Sequence, residues 1–341
     1  MKTLAQFLSR DRLEELLAGF PPLKIGIVGD VALDGYWYAD MTRAHLSRET
    51  PHYPRPVVRA TYGPGAGANT AQNLKALGVG AVSLFSVVGK DLWAAQLAVE
   101  LASRDIQTRD WIESTGRWTT AFIKPVLMGY HSQEEDARLD FENSMALTEV
   151  EEDRLIERLE AALLGLDAVL VADQLEVNGV VTGRVRGWLN ALAAGHPQKI
   201  FLVDSRVRIG EFQGMVLKPN EIEAAAACGF KPGEAPELCE AGRRLSQACG
   251  RPAFITAGEQ GVWVCEPDRQ EQIPAAPAAP PFDIVGAGDA FMAALAAGLA
   301  AGASPLEAGA LANLAAAVTV EKLNQTGTAS PDEIRARYQM I

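Results

Sequence analysis

The sequence predicts an α/β fold in which one mostly parallel sheet is covered by helices on both faces and carries a small β lid. Three observations carry this reading. Strand-length apolar runs alternate with amphipathic or alanine-rich helical patterns along most of the 341 residues. Those runs show little period-2 alternation, the mark of strands buried on both faces. A few stretches break the rhythm with aromatic and β-branched residues set between turn residues.

The core strands are expected at 24–28, 81–87, 168–172, 200–203, 215–217, 253–256 and 261–265. Helical patterns lie between them at 68–77, 94–104, 149–164, 180–194 and 236–248, and an alanine-rich run, 290–301, follows Asp289. Right-handed crossovers then place the functional loops at the carboxyl ends of the strands. The segments 36–42, 56–62 and 117–127 are expected to be antiparallel strands of the lid, which spans about 35–62 and 112–130. An edge extension of the main sheet is the alternative for them. The whole chain, 1–341, is expected to be a single domain. No internal repeat is present, and the only low-complexity piece is the Pro/Ala loop 274–281.

Composition removes several classes of function. The net charge is −12 and no Lys/Arg run stands against it, so a nucleic-acid partner is not expected. Cys228, Cys239, Cys249 and Cys265 have no Cys-x-x-Cys spacing, and His45, His52, His131 and His196 form no metal motif. The cysteines are expected to be reduced and inert. Residues 1–20 mix charges with Leu4, Phe7, Leu8, Leu13, Leu16 and Leu17 at helical spacing, without the continuous apolar core of a signal peptide. With no credible membrane span either, a cytoplasmic protein is expected.

Asp283-Ile284-Val285-Gly286-Ala287-Gly288-Asp289 opens the alanine-rich helix. Gly286, Ala287 and Gly288 would sit at a helix N-terminus, whose free amides and dipole attract anions. Asp289, in the first turn, could accept the proton of an attacking hydroxyl while those amides hold a phosphoryl group. It reads equally as a cap on a Gly-rich turn. A dinucleotide fingerprint fails here, because no strand precedes it and bulky Phe291 takes the third glycine position. Val88-Gly89-Lys90-Asp91 is not a phosphate-binding loop of the Walker type, since the spaced glycine and the hydroxyl residue are missing.

Four other clusters could bind ligands. Gly65 and Asn69, in the Gly-rich turn 63–69, could hold a polyol, or form a tight turn with an Asn cap. Asp30 and Asp34 follow the first strand, and Asp34 is the better candidate for hydroxyls because it opens into the lid. In Lys218-Pro219-Asn220-Glu221-Ile222-Glu223, Lys218 could neutralise phosphate, while Asn220 and Glu223 could hold hydrated Mg²⁺. The same segment also reads as an ordinary helix start. Thr256-Ala257-Gly258-Glu259-Gln260-Gly261 is either a plain hairpin turn or a wall that admits a nucleotide.

Together and in this order, these segments resemble the ribokinase (PfkB) family of carbohydrate kinases, from about residue 24 to residue 329. The resemblance implies a Rossmann-like three-layer α/β sandwich with a β lid, ATP with Mg²⁺, and phosphoryl transfer to a sugar alcohol group. It makes Asp289 the base and Gly286, Ala287 and Gly288 the anion hole. Asn220 and Glu223 would join the metal and phosphate network, with Lys218 beside the phosphates. Thr256, Gly258, Gly261 and Asn313 would line the nucleotide, and Asp34, Gly65, Asn69 and Arg138 the sugar. In some members a monovalent cation such as K⁺ sits beside the anion hole, and Asp283 and the carbonyl of Val285 match that position. A homodimer joined through the lids is implied in the same way.

Within the family, residues 29–38 and 138–142 look most like the heptose-7-phosphate kinases. Those are often fused to a nucleotidyltransferase domain, and none is expected here because the chain ends soon after its last helix. The segment 173–179 departs from the family pattern, and Gly65-Ala66 replaces the usual pair of glycines. The cations available for a substrate phosphate are Arg43, Arg48, Arg55, Arg138 and Arg206. A kinase for another sugar or a nucleoside, or a non-catalytic sugar- or nucleotide-binding relative, are the competing readings. An NAD-dependent oxidoreductase is disfavoured by the failed fingerprint.

Overall fold

Alternate residues of the central strands enter two separate apolar cores, which is why their sequences are apolar throughout. A computed structural model describes residues 3–230, 237–323 and 326–341 of the chain. Its strands are β1 (Lys24–Gly29), β2 (Val31–Asp40), β3 (Val57–Ala66), β4 (Ala81–Gly89), β5 (Trp111–Ser114), β6 (Thr120–Met128) and β7 (Gln133–Glu135). They continue with β8 (Leu139–Phe141), β9 (Ala168–Asp173), β10 (Ile200–Ser205), β11 (Val216–Leu217), β12 (Ala253–Thr256), β13 (Val262–Glu266) and β14 (Arg269–Ile273). The helices are α1 (Arg10–Ala18), α2 (Gly67–Ala76), α3 (Leu92–Ala102), α4 (Glu149–Leu163) and α5 (Gly183–Gly195). After them come α6 (Glu221–Ala227), α7 (Leu238–Cys249), α8 (Ala287–Ala300), α9 (Pro305–Thr319) and α10 (Pro331–Tyr338).

The main sheet runs β14-β13-β12-β11-β10-β9-β1-β4-β5. It is parallel from β12 to β5 and closes with the antiparallel strands β13 and β14. Ile25, Ile27, Leu170 and Leu202 enter the core shared with α1, α2, α3, α8 and α9. Val28, Val169, Val171 and Val203 enter the other, with Leu155, Leu159, Leu189 and Leu245 of α4, α5 and α7. The result is the expected α/β architecture, helices on both faces. Strand β14 was absent from the expected set and β5, most of which was expected in the lid, pairs with β4 instead; both are edge strands of the main sheet. The expected helix at 236–248 is α7, and its first residue lies outside the described residues.

The lid is a second sheet, β3-β2-β6-β7, with β8 also paired to β6. It starts earlier than expected, since only Asp30 separates β1 from β2. Its strands were expected to be antiparallel throughout, and one pairing differs: β2 and β6 are parallel, with Asp34 beside Phe122 and Tyr36 beside Lys124. The connection explains this. Between β3 and β6 the chain crosses the main domain through α2, β4, α3 and β5, so β6 re-enters the lid in the direction of β2. The pairs β2–β3, β6–β7 and β6–β8 are antiparallel. One lid face packs on the main domain, where Trp37 and Phe141 meet Trp93 of α3. The other face carries Asp34, Tyr36 and Lys124.

Candidate active site

The N-terminus of α8 is left open by its own sequence. Its N-cap is Gly286, at φ +82°, which offers no side chain to cap the first turn. The amide of Ala287 turns back to the carbonyl of Ile284 at 3.2 Å. The amides of Gly288 and Asp289 have no partner among the described residues, and Gly288 is exposed. Orphan donors of this kind, with the helix dipole, can attract an anion. A side chain at Gly286 would meet the Asn69 amide at 3.1 Å as well as the unfavourable φ.

Asp289 does not cap this helix. Its carboxylate accepts Asn69 Nδ2 at 2.5 Å, Thr70 Oγ1 at 3.1 Å and Gln174 Nε2 at 3.3 Å. The alternative expectation for Asn69, a cap of its own helix, does not hold: it lies inside α2, which starts at Gly67. The amide of Gln72 bonds Asn69 Oδ1 at 2.6 Å, which fixes Asn69 with its NH₂ towards Asp289. Desolvation, reinforced by the charge of Asp204, pushes the Asp289 carboxyl up to about 6 despite these three donors.

Gln174 stands in the segment that departs from the family pattern, and Asp30 explains how it is held. Asp30 is buried and accepts the backbone amides of Gln174, Leu175 and Val180 at 2.8, 2.8 and 2.7 Å. Arg208 grips the same loop through the carbonyls of Glu176 and Leu175, and pairs with Asp173 at 2.5 Å. Asp30 is therefore a loop clamp, and of the two early carboxylates only Asp34 remains a ligand candidate. Burial, with Asp289 next in effect, pushes Asp34 up to about 6, while Lys124 and Arg138 act in the opposite sense. Gly65 lies against it: a Cβ there would sit 2.8 Å from Asp34 Oδ2.

A second cluster flanks the α8 turn. Lys218 is buried, with its ammonium 3.4 Å from Asp204 Oδ1 and 4.0 Å from where a Cβ on Gly288 would stand. Burial acts to lower its pKa, but Asp204, Glu223 and Asp289 together leave it raised, so Lys218 stays charged. Asn220 and Glu223 form a reciprocal capping box on α6: Asn220 Oδ1 accepts the Glu223 amide at 2.9 Å, and Glu223 Oε2 accepts the Asn220 amide at 2.8 Å. Burial and nearby Asp204 raise the Glu223 carboxyl. The Thr256 amide bonds the Pro219 carbonyl at 3.0 Å, which joins the Lys218 loop to the β12–β13 turn. In that turn Gly261 has φ +86° and no room for a Cβ, which would lie 2.1 Å from the Ile273 carbonyl. Gly258 also has positive φ.

Not every expected residue faces the site in the expected way. Asn313 donates its amide to the carbonyls of Ile273 and Pro274, at 3.3 and 2.9 Å, so it supports the wall behind that turn. Asp283 accepts the Val285 amide at 3.0 Å, and Val285 is partly exposed. Arg138 pairs with Asp140 at 2.5 Å and lies 4.5 Å over the Phe122 ring. Arg55 is bound to Asp136, Arg43 and Arg48 are exposed, and Arg206 lies on the Glu223 side. Sequence reasoning missed Asp204, Thr70, Gln174 and Lys124. The signal for Asp204 was available, because it ends a strand beside the Lys218 loop. Nothing local marks the other three.

The fold is similar to those of solved sugar kinases. The chain matches the ribokinase of Thermotoga maritima with a TM-score of 0.68 at 21% identity, covering 93% of this chain and 99% of that one. Phosphofructokinase-2 of Escherichia coli, solved in complex with potassium, gives a TM-score of 0.73 at 18% identity over the same shares. The pattern of the pfkB family carbohydrate kinases matches residues 35–153 and 214–333. The chain belongs to the pfkB family of carbohydrate kinases. Among curated proteins it is 34% identical to the bifunctional protein HldE of Hahella chejuensis over 94% of the chain. To HldE of Trichlorobacter lovleyi it is 31% identical over 98% of the chain. It spans 64% and 66% of the length of these two relatives.

Proposed function

We propose that the chain transfers the γ-phosphoryl group of ATP to a hydroxyl of a sugar phosphate, with heptose 7-phosphate as the expected substrate. The observation that carries this is Asp289, held by three side-chain donors at the foot of an uncapped helix N-terminus. The acceptor hydroxyl gives its proton to the Asp289 carboxylate as its oxygen bonds to the γ-phosphorus. The bond to the ADP oxygen breaks, and the unpartnered amides of Gly288 and Asp289 stabilise the charge on the phosphoryl oxygens. Lys218 balances phosphate charge from beside Gly288. Thr256, Gly258 and Gly261 form the nucleotide wall, which Asn313 supports.

The donor chemistry fits Mg²⁺. Asp204 and Glu223 offer hard carboxylate oxygens, yet among the described residues no three acidic, His or Cys side chains enclose a metal. That suits an ion that keeps most of its waters, with Asn220 orienting Glu223. Bound there, Mg²⁺ would neutralise phosphate charge. Asp283 and the Val285 carbonyl are the corresponding candidates for a monovalent cation.

Asp34, Gly65 and Asn69 would hold the sugar hydroxyls. Lys124 and Arg138 act on Asp34 from the lid and would meet the substrate's own phosphate. That basic pair, the resemblance at residues 29–38 and 138–142, and the similarity to HldE proteins support a phosphorylated heptose over a free sugar. We further propose one catalytic domain with its lid, a lid-to-lid homodimer and a cytoplasmic location, where ATP is plentiful. No helix among the described residues is long and apolar enough to cross a membrane. An ATP-turnover screen across free hexoses, pentoses, nucleosides, hexose phosphates and heptose 7-phosphate tests the reading. Highest kcat/KM on heptose 7-phosphate is expected. Turnover restricted to unphosphorylated acceptors would remove the sugar-phosphate assignment.

A further inference from the structure

A cleft of about 700 Å³ opens at the far edge of the main sheet, beside β5 and between α3 and α4. Two strands, β1 and β4, separate β5 from β9, at whose end Gln174 reaches Asp289. The cleft is thus distinct from the site described above. Its size is that of an ordinary small-molecule site.

Its charge runs against that of the chain. The sequence holds 31 basic and 43 acidic residues, whereas the cleft is lined by Lys90, Arg109, Arg154 and Arg158 against Asp91 and Glu113. Asp91 is already engaged, accepting the Ala94 amide at 2.9 Å and the Thr119 amide at 2.7 Å. Arg158 donates to the Arg109 carbonyl at 2.6 Å, which fixes one wall. Lys90 and Arg154 are exposed and have no acidic partner among the described residues. Two cations without acidic partners, lining one concavity, leave a local positive potential that an anion can neutralise. Lys supplies a compact charge and Arg a forked donor, the usual pair for a phosphate group. Beside them Ala94, Ala95 and Ala98 of α3 leave a low apolar wall against which the body of a ligand can lie.

We propose that this cleft is a second ligand site, for a small phosphorylated molecule whose phosphate is held by Lys90 and Arg154. A ligand there also touches the loop that anchors the lid. The residue after Lys90 is Asp91, whose carboxylate holds the Thr119 amide one residue before β6. The placement suits an effector more than a substrate.

The test is calorimetric titration of the full chain with pyrophosphate and, separately, with AMP. It compares the unaltered protein, Lys90→Ala/Arg154→Ala, the charge reversal Arg154→Glu, and Lys218→Ala as the control in the proposed active site. At least one of the two probes should bind in a way that Lys218→Ala leaves unchanged. The double variant should weaken that binding by about tenfold or more, and the charge reversal likewise. Both altered side chains are exposed, so the variants should melt as the unaltered protein does. Equal affinities of the two probes would identify a site for the phosphate alone. Tighter binding of AMP would identify a nucleotide site. Undiminished binding in both cleft variants would overturn the proposal, as would the absence of any binding that survives Lys218→Ala.

Discussion

Two helix starts in this molecule look alike in sequence and differ in structure. Asn220-Glu221-Ile222-Glu223 and Gly286-Ala287-Gly288-Asp289 each place an acidic residue at the third helical position. At α6 the N-cap and that acid satisfy each other's backbone amides, so the end is closed. At α8 the N-cap has no side chain, and the acid turns away to three donors on α2 and the Gln174 loop. A helix end that caps itself has used its anion-binding capacity on its own acid. One that is left open, with its acid held from outside, keeps that capacity for a ligand.

The largest expected effect breaks or confirms the α8 half of this contrast. Asp289→Asn keeps the size of the side chain and removes the proton acceptor. It should lower kcat by roughly 10²–10⁴ while leaving ATP binding nearly intact. Single-turnover kinetics with a nucleotide-binding assay separates the two. Near-normal kcat would show that Asp289 only shapes the turn.

A smaller effect follows from burial. Asp289 and Asp34 are both pushed up to about 6, and the base works only as a carboxylate. Activity should therefore be present above about pH 6 and fall by roughly tenfold per unit below it, or more steeply where both groups must be ionised. The kcat/KM profile reads this in the free enzyme. A limb near pH 4, the ordinary range of an aspartate, would mean that water reaches the site freely. Stability runs the other way for these two groups. Because their folded-state values are raised, their contribution to stability is fully present below the unfolded value of about 4. It is lost as pH rises through about 6. Activity and the stability due to this pair thus change in opposite directions over the same window.

The contrast also marks how far sequence reaches. The α/β layering was legible because buried strands and alanine-rich helices write their burial directly into the chain. The direction of β6 in the lid was not, because it depends on a crossover of four intervening elements rather than on its own residues. Asp289 and the α8 glycines were legible as a turn that could bind anions. Their separation from a plain cap was not, since it rests on Asn69, Thr70 and Gln174, two of which lie some 220 residues away in the chain. The clamp role of Asp30 was not legible for a related reason. A carboxylate at a strand end looks free until the loop that folds back onto it is in place.

The smallest expected effect tests the α6 half. If Asn220 serves mainly as a cap, Asn220→Ala should cost about 1 kcal/mol of stability, the usual worth of an N-cap side chain. Asn220→Asp, which keeps an acceptor for the Glu223 amide, should recover most of that in denaturant unfolding. The kcat of Asn220→Asp should stay within about threefold of the unaltered protein, with any loss in Asn220→Ala appearing first in the KM for ATP as Glu223 loses its orientation. The opposite pattern, unchanged stability with a fall in kcat approaching that of Asp289→Asn, would place Asn220 on the reacting phosphates. The two helix starts would then differ in geometry and not in role, because a closed cap would have been shown to open when substrate arrives.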